Sequence, residues 1–428
     1  DFKEMLIEYS NLSKGMVVFE FIDPSSSEVT EQEAMSAGIQ PVIATVREKD
    51  QAKQQKVYLG AVISMGEQTE VIPFMQPGVA MEYALSSTIK KISVMNKPVI
   101  GLLQGHGEPP VGAYAQALSS LSILYHVEPV TLTDTVNSLE KYQTLALVAP
   151  KDTFPASHLA QLDRFLGRGG SIFLGINRVD GDLNTARGNS VSTGLETWLT
   201  SKGLIIENNF VIDSRCAKIS VRQQQGVFTY TTQVPFYYIP MISGFADHPV
   251  TSGLENVILP FVSNMNYTGD TTKTFTPLLW TSEKAGTQPS PVIFDVSRPW
   301  TDGDFPLENL TVGGLLAGKL VGNTFSQMIV IADGDFPVNG EGQQARQQGE
   351  DNISLMVNSI DYLSDDTGLI ELRTKGITSR PLDEIEDGKK AFLKYLNLLL
   401  PILLIIIYGV FRMQFNRNLR IKRMEEGY

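Results

Sequence analysis

Two short segments hold most of the residues that could do chemistry. Gly105-His106-Gly107-Glu108-Pro109 stands between an apolar run at 99–103 and a helical pattern that starts at Gly112. Asp333-Gly334-Asp335 closes a second apolar run, 327–332. Open α/β sheets bind ligands at the carboxyl ends of their strands, so Gly105, His106, Gly107, Glu108, Asp333 and Asp335 form the candidate ligand or partner loops. Gly105-x-Gly107 invites a dinucleotide reading, but that fingerprint needs GxGxxG so that a helix N-terminus meets a pyrophosphate. Here Glu108, Pro109 and Pro110 intervene, and a carboxylate repels a phosphate. A tight strand-to-helix turn, with Glu108 favouring the helix N-terminus, is the simpler reading. Asp333 and Asp335 could bind a cation, yet no third acid lies nearby in sequence, and a polar turn before the next helix serves as well.

Other chemistries are poorly supported. Gly313-Gly-Leu-Leu-Ala-Gly318-Lys319-Leu320 nearly matches a phosphate-binding loop, but Leu320 offers no hydroxyl for Mg²⁺ and no helix pattern follows. The chain therefore lacks an ATPase core of its own. The four histidines (106, 126, 158 and 248) show no HxH or HxxxH spacing, so a zinc site is not expected. Cys216 is the only cysteine, which excludes an internal disulfide or a CxxC redox pair. It has no flanking glycines of the kind a strained nucleophile elbow needs, so it reads as a buried or incidental thiol. No cofactor and no catalytic residue is expected. Net charge is −12 and the basic residues cluster only in the C-terminal tail, which argues against nucleic acid as a partner.

The elements that would position these loops fall into several parts, since 428 residues exceed one ordinary core. Residues 1–95 read as a small α/β domain with a helix at 2–12, a strand at 16–22, a helix at 31–37, an extended piece at 41–46, a hairpin pairing 57–64 with 70–72, and a helix at 81–94. This β-α-β-β-α order is that of a thioredoxin-like domain with its first strand missing. Residues 96–363 read as an α/β domain. Its short, continuous apolar runs at 99–103, 127–132, 145–149 and 171–174 suit strands buried on both faces of a parallel sheet. Helices at 112–124 and 156–166 alternate with them and imply right-handed crossovers. A helix at 195–201 and a strand at 205–212 are expected to continue that sheet. A β-rich region at about 217–320 reads as an insertion, and 327–332 with the helix at 352–363 as the last strand and helix. Residues 364–390 form a polar linker.

The segment 395–411 carries no charge, and Arg412, Arg417, Arg420, Lys422 and Arg423 follow at once. Its length is at the short end of the roughly 17–25 residues that cross the hydrocarbon. Lys394 can snorkel, Met413 and Phe415 can extend the span, and Tyr395 and Tyr408 are of the interfacial type. A transmembrane helix at 391–415 with a basic cytoplasmic tail at 416–428 is the expected anchor. The bulk of the chain then lies outside, because Lys and Arg near a membrane end prefer the cytoplasmic side. Asn397, Pro401 and Gly409 are the small or polar positions expected to pack against partner helices in lipid. Asp1 lies inside an amphipathic pattern without an initiator Met, so an upstream signal or first membrane helix is expected.

These residues together resemble the GldG family, the auxiliary subunits of ABC transporters associated with bacterial gliding motility. The matching pieces are Glu82-Tyr-Ala-Leu-Ser-Ser-Thr-Ile-Lys-Lys, Gly101-Leu-Leu-Gln-Gly-His-Gly-Glu108 and Leu147-Val-Ala-Pro150. Phe165-Leu-Gly-Arg-Gly-Gly170-Ser-Ile-Phe-Leu, Ile331-Ala-Asp-Gly-Asp-Phe336 and Leu396-Asn-Leu-Leu-Leu-Pro401 follow in order. The resemblance implies a periplasmic region with a thioredoxin-like part and a domain of flavodoxin type shaped like class I glutamine amidotransferases, without their catalytic cysteine. It also implies an inner-membrane location and an ABC-2-type permease and a cytoplasmic ABC ATPase as partners. The expected function is that of a non-catalytic auxiliary subunit that binds an extracytoplasmic ligand or partner. A membrane-tethered hydrolase acting through His106, Glu108 and the Asp333/Asp335 turn, and a purely structural envelope scaffold, are the alternatives.

Overall fold

The computed structural model describes residues 2–48, 51–75, 81–93, 97–134, 138–225, 228–269, 271–364, 387–425 and 427. The chain divides into two compact units, Asp1–Thr378 and Ser379–Tyr428.

An eight-stranded sheet organises the first unit. Its strands, in chain order, are β1 (Val99–Gln104), β2 (His126–Thr131), β3 (Thr144–Val148), β4 (Ser171–Gly175), β5 (Gly244–Phe245), β6 (Lys273–Trp280), β7 (Thr311–Gly318) and β8 (Ser326–Ile331). In space they run β5-β6-β7-β8-β4-β3-β1-β2. Strands β2, β1, β3, β4 and β8 are mutually parallel. Taken alone they follow the doubly wound order 2-1-3-4-5, whose direction of winding reverses between β1 and β3. The continuous apolar sequences of β3 (TLALV) and β4 (SIFLG) fit this position, because helices cover both faces of a parallel sheet and all of their residues but the half-buried Ser171 are buried. The covering helices include α1 (Ala115–Leu121), α2 (Ala156–Gly167) and α3 (Glu350–Ser364). Helix α2 buries Gln161, Leu162, Phe165 and Leu166 along one stripe. Helix α3 is buried nearly all round, since the 246–259 segment closes over its outer side. Asp351 accepts from the amides of Glu255 and Asn256, and Asn352 bonds both backbone groups of Ile258.

The sheet is mixed rather than wholly parallel. Strands β6 and β7, expected within an insertion, join the main sheet instead: β7 pairs antiparallel with β8, and β6 antiparallel with β7. Two glycines make this possible: a Cβ at Gly313 would stand 2.7 Å from Leu279 and Ile331 carbons, and one at Gly314 would stand 2.4 Å from the Phe275 ring. The predicted continuation through 205–212 does not occur. That run breaks into Leu204–Ile206, which pairs with Met265–Tyr267, and Asn209–Asp213, which pairs with Ala285–Pro289. A long hairpin, Cys216–Gln225 with Phe228–Ile242, stands on a second, aromatic core of Phe210, Phe236, Tyr238 and Phe294.

Residues 2–93 depart further from expectation. No strand forms at 16–22; Met16, Val18, Phe21 and Ile22 are exposed, and no described strand pairs with them. The expected hairpin forms, but with different bounds. Val42–Glu48 pairs with Gln51–Val57, and Ala61–Met65 pairs with Gln68–Ile72, so Val57 belongs to the first ribbon. Helix Met81–Ser93 lies on the second ribbon through Lys91–Glu70, 2.7 Å apart, and the N-terminal helix Phe2–Leu12 meets it where Tyr9 reaches Ser86.

The second unit is the helix Asp387–Glu425, with Pro401 inside it. Its span Phe392–Lys422 is long and apolar enough to cross a membrane, and none of it is buried in the protein. The helix runs on through the basic stretch, so the expected tail at 416–428 is helical as far as Glu425. At 1.5 Å per residue its 39 residues measure about 58 Å. Most of the predicted linker, 365–386, lies outside the described residues.

Candidate functional site

The carboxyl ends of β1, β3, β4 and β8 bring the predicted loops to one edge of the sheet. Strand β1 ends at Gln104, and the chain turns through Gly105 and Gly107 at φ +110° and +77°. Such values favour glycine because a Cβ would meet the backbone. At Gly107 it would also stand 3.1 Å from the Asp152 carboxylate. The turn sends alternate residues in opposite directions. Gly105 and Gly107 face solvent, while the His106 and Glu108 side chains are only 4% and 0% exposed. Glu108 Oε2 accepts the His106 amide at 2.6 Å, so the carboxylate closes the turn from below.

The loop after β3 is stitched to this turn. The amides of Lys151 and Asp152 both donate to the His106 carbonyl, at 2.9 and 2.8 Å. Ala149, the first residue past β3, holds φ +50° without being glycine. A positive φ at a residue with a Cβ makes this a strained elbow in the backbone. Gly334, after β8, presses against this elbow. Asn177, after β4, completes the edge: its Oδ1 accepts the Gly334 amide at 2.6 Å and its Nδ2 donates to Asp335 Oδ2 at 2.7 Å.

The acids here are shaped by burial. Asp333 is wholly buried, and its carboxyl is held well above the usual carboxylate range by desolvation and then by the charge of Asp335. Its Oδ1 accepts the Asp335 amide at 2.8 Å, and its Oδ2 has no partner among the described residues. Asp335 is raised by burial too, against the pull of Asn177 and Lys151. Asp180 adds a third carboxylate whose charge reaches both, although sequence proximity does not place it there. Among the described residues no group of three His, Cys, Asp or Glu has metal-binding geometry. Burial, followed by the charges of Glu108 and Asp335, raises the Tyr114 hydroxyl, so those two acids lie around one phenol. The predicted site residues are thus brought to one edge, but His106, Glu108 and Asp333 look inward. The exposed surface includes the Gly105 and Gly107 backbone with Lys151 and Asp152.

Sequence reasoning missed His158, Lys151, Asn177 and Asp180, which reach the edge from other strands and helices. The only signal for any of them was a position just past a buried run. A separate pocket of about 240 Å³ lies between the long hairpin and the 295–300 segment, lined by Tyr237, Tyr238, Asp295, Arg298 and Trp300. None of the predicted residues lines it. Arg298 sits 4.2 Å above the Trp300 ring and pairs with Asp304, so its cation is already engaged within the fold. In the second unit, Asn397, Pro401 and Gly409 are all exposed on the apolar helix, with no atom within 4 Å of a Cβ built at Gly409.

Comparison with known proteins adds family but no close relative. No curated protein matches the chain. Among solved structures, the mmIFT52 N-terminal domain is 13% identical with a TM-score of 0.42, over 63% of this chain and 98% of that one. A protein described as part of a GMP synthase from Thermoplasma acidophilum is 9% identical with a TM-score of 0.30, over 65% and 96%. The exo-beta-1,4-mannosidase Op5Man5 from Opitutaceae bacterium strain TAV5 is 10% identical with a TM-score of 0.26, over 67% and 37%. Likenesses this loose carry no argument. Residues 1–64 match a domain of unknown function, DUF7088. Residues 97–365, more than half of the chain and the whole of the large sheet, match the ABC-type uncharacterized transport system model. The chain belongs to that family and is an auxiliary component of an ABC-type transport system.

Proposed function

We propose that the protein is a membrane-anchored, non-catalytic subunit whose sheet-bearing unit works outside the cytoplasmic membrane and whose terminal helix packs on the transporter. The observation that carries this is the Asp387–Glu425 helix: apolar through its first half, unburied, and basic just past the apolar stretch, in a chain of a transport-system family. A fully exposed apolar helix needs lipid or other helices around it. The basic end fits the cytoplasmic side, which leaves the sheet-bearing unit periplasmic. The partners are then an ABC-2-type permease and a separate cytoplasmic ABC ATPase; the near-match to a phosphate-binding loop, Gly313–Gly318, lies in strand β7. The GldG-like resemblance supports assignment to gliding- or secretion-associated machinery. A flavodoxin-type, amidotransferase-like scaffold is what the resemblance implies, and the 2-1-3-4-5 strand order supports it. A thioredoxin-like ancestry for the N-terminal part rests on the resemblance alone. The sheet's carboxyl edge, with its glycine backbone, Lys151 and Asp152 exposed, is the surface offered to an extracytoplasmic ligand or partner.

The test is a mild-detergent pull-down of the full-length protein from its native membrane, followed by mass spectrometry. Recovery of a polytopic permease with a Walker-motif ATPase is expected. Recovery of the protein alone, or with envelope proteins only, overturns the transporter assignment in favour of a free-standing scaffold.

A further inference from the structure

The long hairpin, Cys216–Gln225 with Phe228–Ile242, loses its register at one place. Cys216 pairs with Pro240 and Lys218 with Pro235, so Ala217 alone faces residues 236–239. Surplus residues bend a strand out of its ribbon and re-aim its side chains, and here the surplus run opens with Phe236, Tyr237 and Tyr238. The segment 294–305 closes over it. Phe294 packs on Phe236 and Tyr238 with ring centroids 5.5 and 4.8 Å apart, while Trp300 meets Tyr237 at 4.9 Å and Tyr238 at 5.8 Å. Between hairpin and segment lies the cavity of about 240 Å³.

The lining of this cavity carries polar groups that the fold leaves unused. Tyr238 is 3% exposed, yet its hydroxyl has no hydrogen-bond partner among the described residues. That oxygen is not sealed in the core, and Tyr238 is one of the residues that line the cavity. The Tyr237 hydroxyl and the Trp300 indole N–H are equally without partners among the described residues, although such groups usually find one when buried. Asp295 accepts the Ser297 amide on one oxygen, at 2.8 Å, and its other oxygen has no partner among the described residues. Arg298 differs, because its charge is already neutralised. Its guanidinium lies 4.2 Å from the Trp300 ring and pairs with Asp304, whose second oxygen accepts the Thr301 amide at 2.8 Å.

These groups select one kind of ligand. An anion is repelled by Asp295 and finds Arg298 already paired, while a cation meets the guanidinium that covers one face of Trp300. A hydrocarbon leaves the two hydroxyls stranded against an apolar surface. The cavity is smaller than the roughly 300–1,000 Å³ of drug-sized ligand sites, which limits the guest to about one ring. A neutral sugar ring meets every condition. Its C–H faces suit an aromatic wall, and the hydroxyls around its edge both accept and donate. We infer that the cavity binds one neutral pyranose unit of a glycan, packed against Tyr237 and Trp300, with its hydroxyls accepting from Tyr238 and donating to Asp295. Neither the membrane anchor nor the transporter partners enter into this.

The test uses the full-length protein in lipid nanodiscs, because glucoside and maltoside detergents are themselves sugars. Its three tryptophans, replaced by 5-fluorotryptophan, give three fluorine resonances, and Trp300→Phe identifies that of Trp300. The probes are glucose, galactose, mannose, N-acetylglucosamine, cellobiose and chitobiose. At least one should move the Trp300 resonance saturably, with half-saturation on the order of 1 mM, the strength a single small ring reaches. The Trp198 and Trp280 resonances should stay where they are. Tyr238→Phe, which removes only the hydroxyl, should weaken that binding about five-fold, one hydrogen bond's worth. Tyr237→Phe removes the second hydroxyl at a half-buried position and should act in the same direction, which keeps the test valid if the buried change unsettles the fold. The sugar site is overturned if no probe moves the Trp300 resonance by about 100 mM, or if all three resonances move together. It is equally overturned if both hydroxyl deletions leave the affinity unchanged, or if a polyproline peptide moves the resonance and the sugars do not.

Discussion

Replacing Gly334 with alanine tests whether the sheet edge is as tightly closed as its geometry demands. A Cβ there would stand 2.6 Å from the Ala149 nitrogen, 2.7 Å from its Cα and 2.7 Å from the Gly175 carbonyl oxygen. All three are backbone atoms of adjacent strand ends, so no side chain can swing away. Ordinary carbon contacts lie near 3.5 Å, which means the loops after β3 and β8 must part by about 1 Å. Their separation strains the Ala149 amide bond to Gly175 O and the Gly334 amide bond to Asn177 Oδ1, at 2.9 and 2.6 Å. Overpacking costs about 1–3 kcal/mol, and a buried hydrogen bond about 1 kcal/mol more. The expected loss is about 3 kcal/mol, read as a lower urea midpoint with an unchanged slope. Gly167→Ala is the control. Its added methyl meets Val321 only at 3.6 Å, and it ends helix α2, so it should be neutral or stabilise by up to about 1 kcal/mol. If Gly334→Ala costs no more than Gly167→Ala, the close approach of β3, β4 and β8 ends is not a real constraint and the site geometry drawn from it fails.

Asn352→Ala should destabilise by about 2–4 kcal/mol in the same assay, because its amide bonds Ile258 N, Ile258 O and Phe336 O and leaves them unsatisfied; a loss under 1 kcal/mol would refute its role in closing the 246–259 segment over α3. Asp333, with its carboxyl raised above the ordinary range in the folded state, favours folding below pH about 4 and loses that contribution as pH rises toward its folded value. The stability of Asp333→Asn relative to wild type should therefore improve from acid to neutral pH, and a flat difference would remove the buried charge from the account. Burial pushes the Cys216 thiol up to about 11 from 9.0, so alkylation at neutral pH should run about a hundred-fold slower than for a free thiol; rapid labelling would contradict that environment. Gly409→Leu fills an open face of the terminal helix and should weaken co-purification with the permease, whereas unchanged recovery takes Gly409 out of the interface.

What was legible in the amino-acid sequence was local. The buried strands at 99–103, 145–149 and 171–174 declare themselves because a strand covered on both faces has no polar alternation to mimic anything else. The helix 2–12 and the apolar span after Tyr395 are equally plain, since each pattern closes within its own residues. The glycines at 105 and 107 also marked a turn, because a chain that leaves a strand and enters a helix within a few residues needs backbone angles that glycine adopts freely. Pairing decided the rest. Nothing within 273–280 or 311–318 says whether those strands insert as a separate layer or extend the main sheet; the open edge of β8 and the close packing that leaves no room for a methyl at Gly313 and Gly314 settle it. The run at 16–22 has β-type composition but pairs with no described strand, and a strand without a partner does not form. His158 stands 52 positions from His106, and Asn177 stands 158 from Asp335. Sequence spacing carries no trace of such contacts, because they arise where strand ends meet. Types, turns and the membrane-length helix were therefore determined by the sequence itself, while the inward aim of His106 and Glu108, the third acid at Asp180 and the contact between the His106 and His158 rings were decided only when the sheet brought distant loops to one edge.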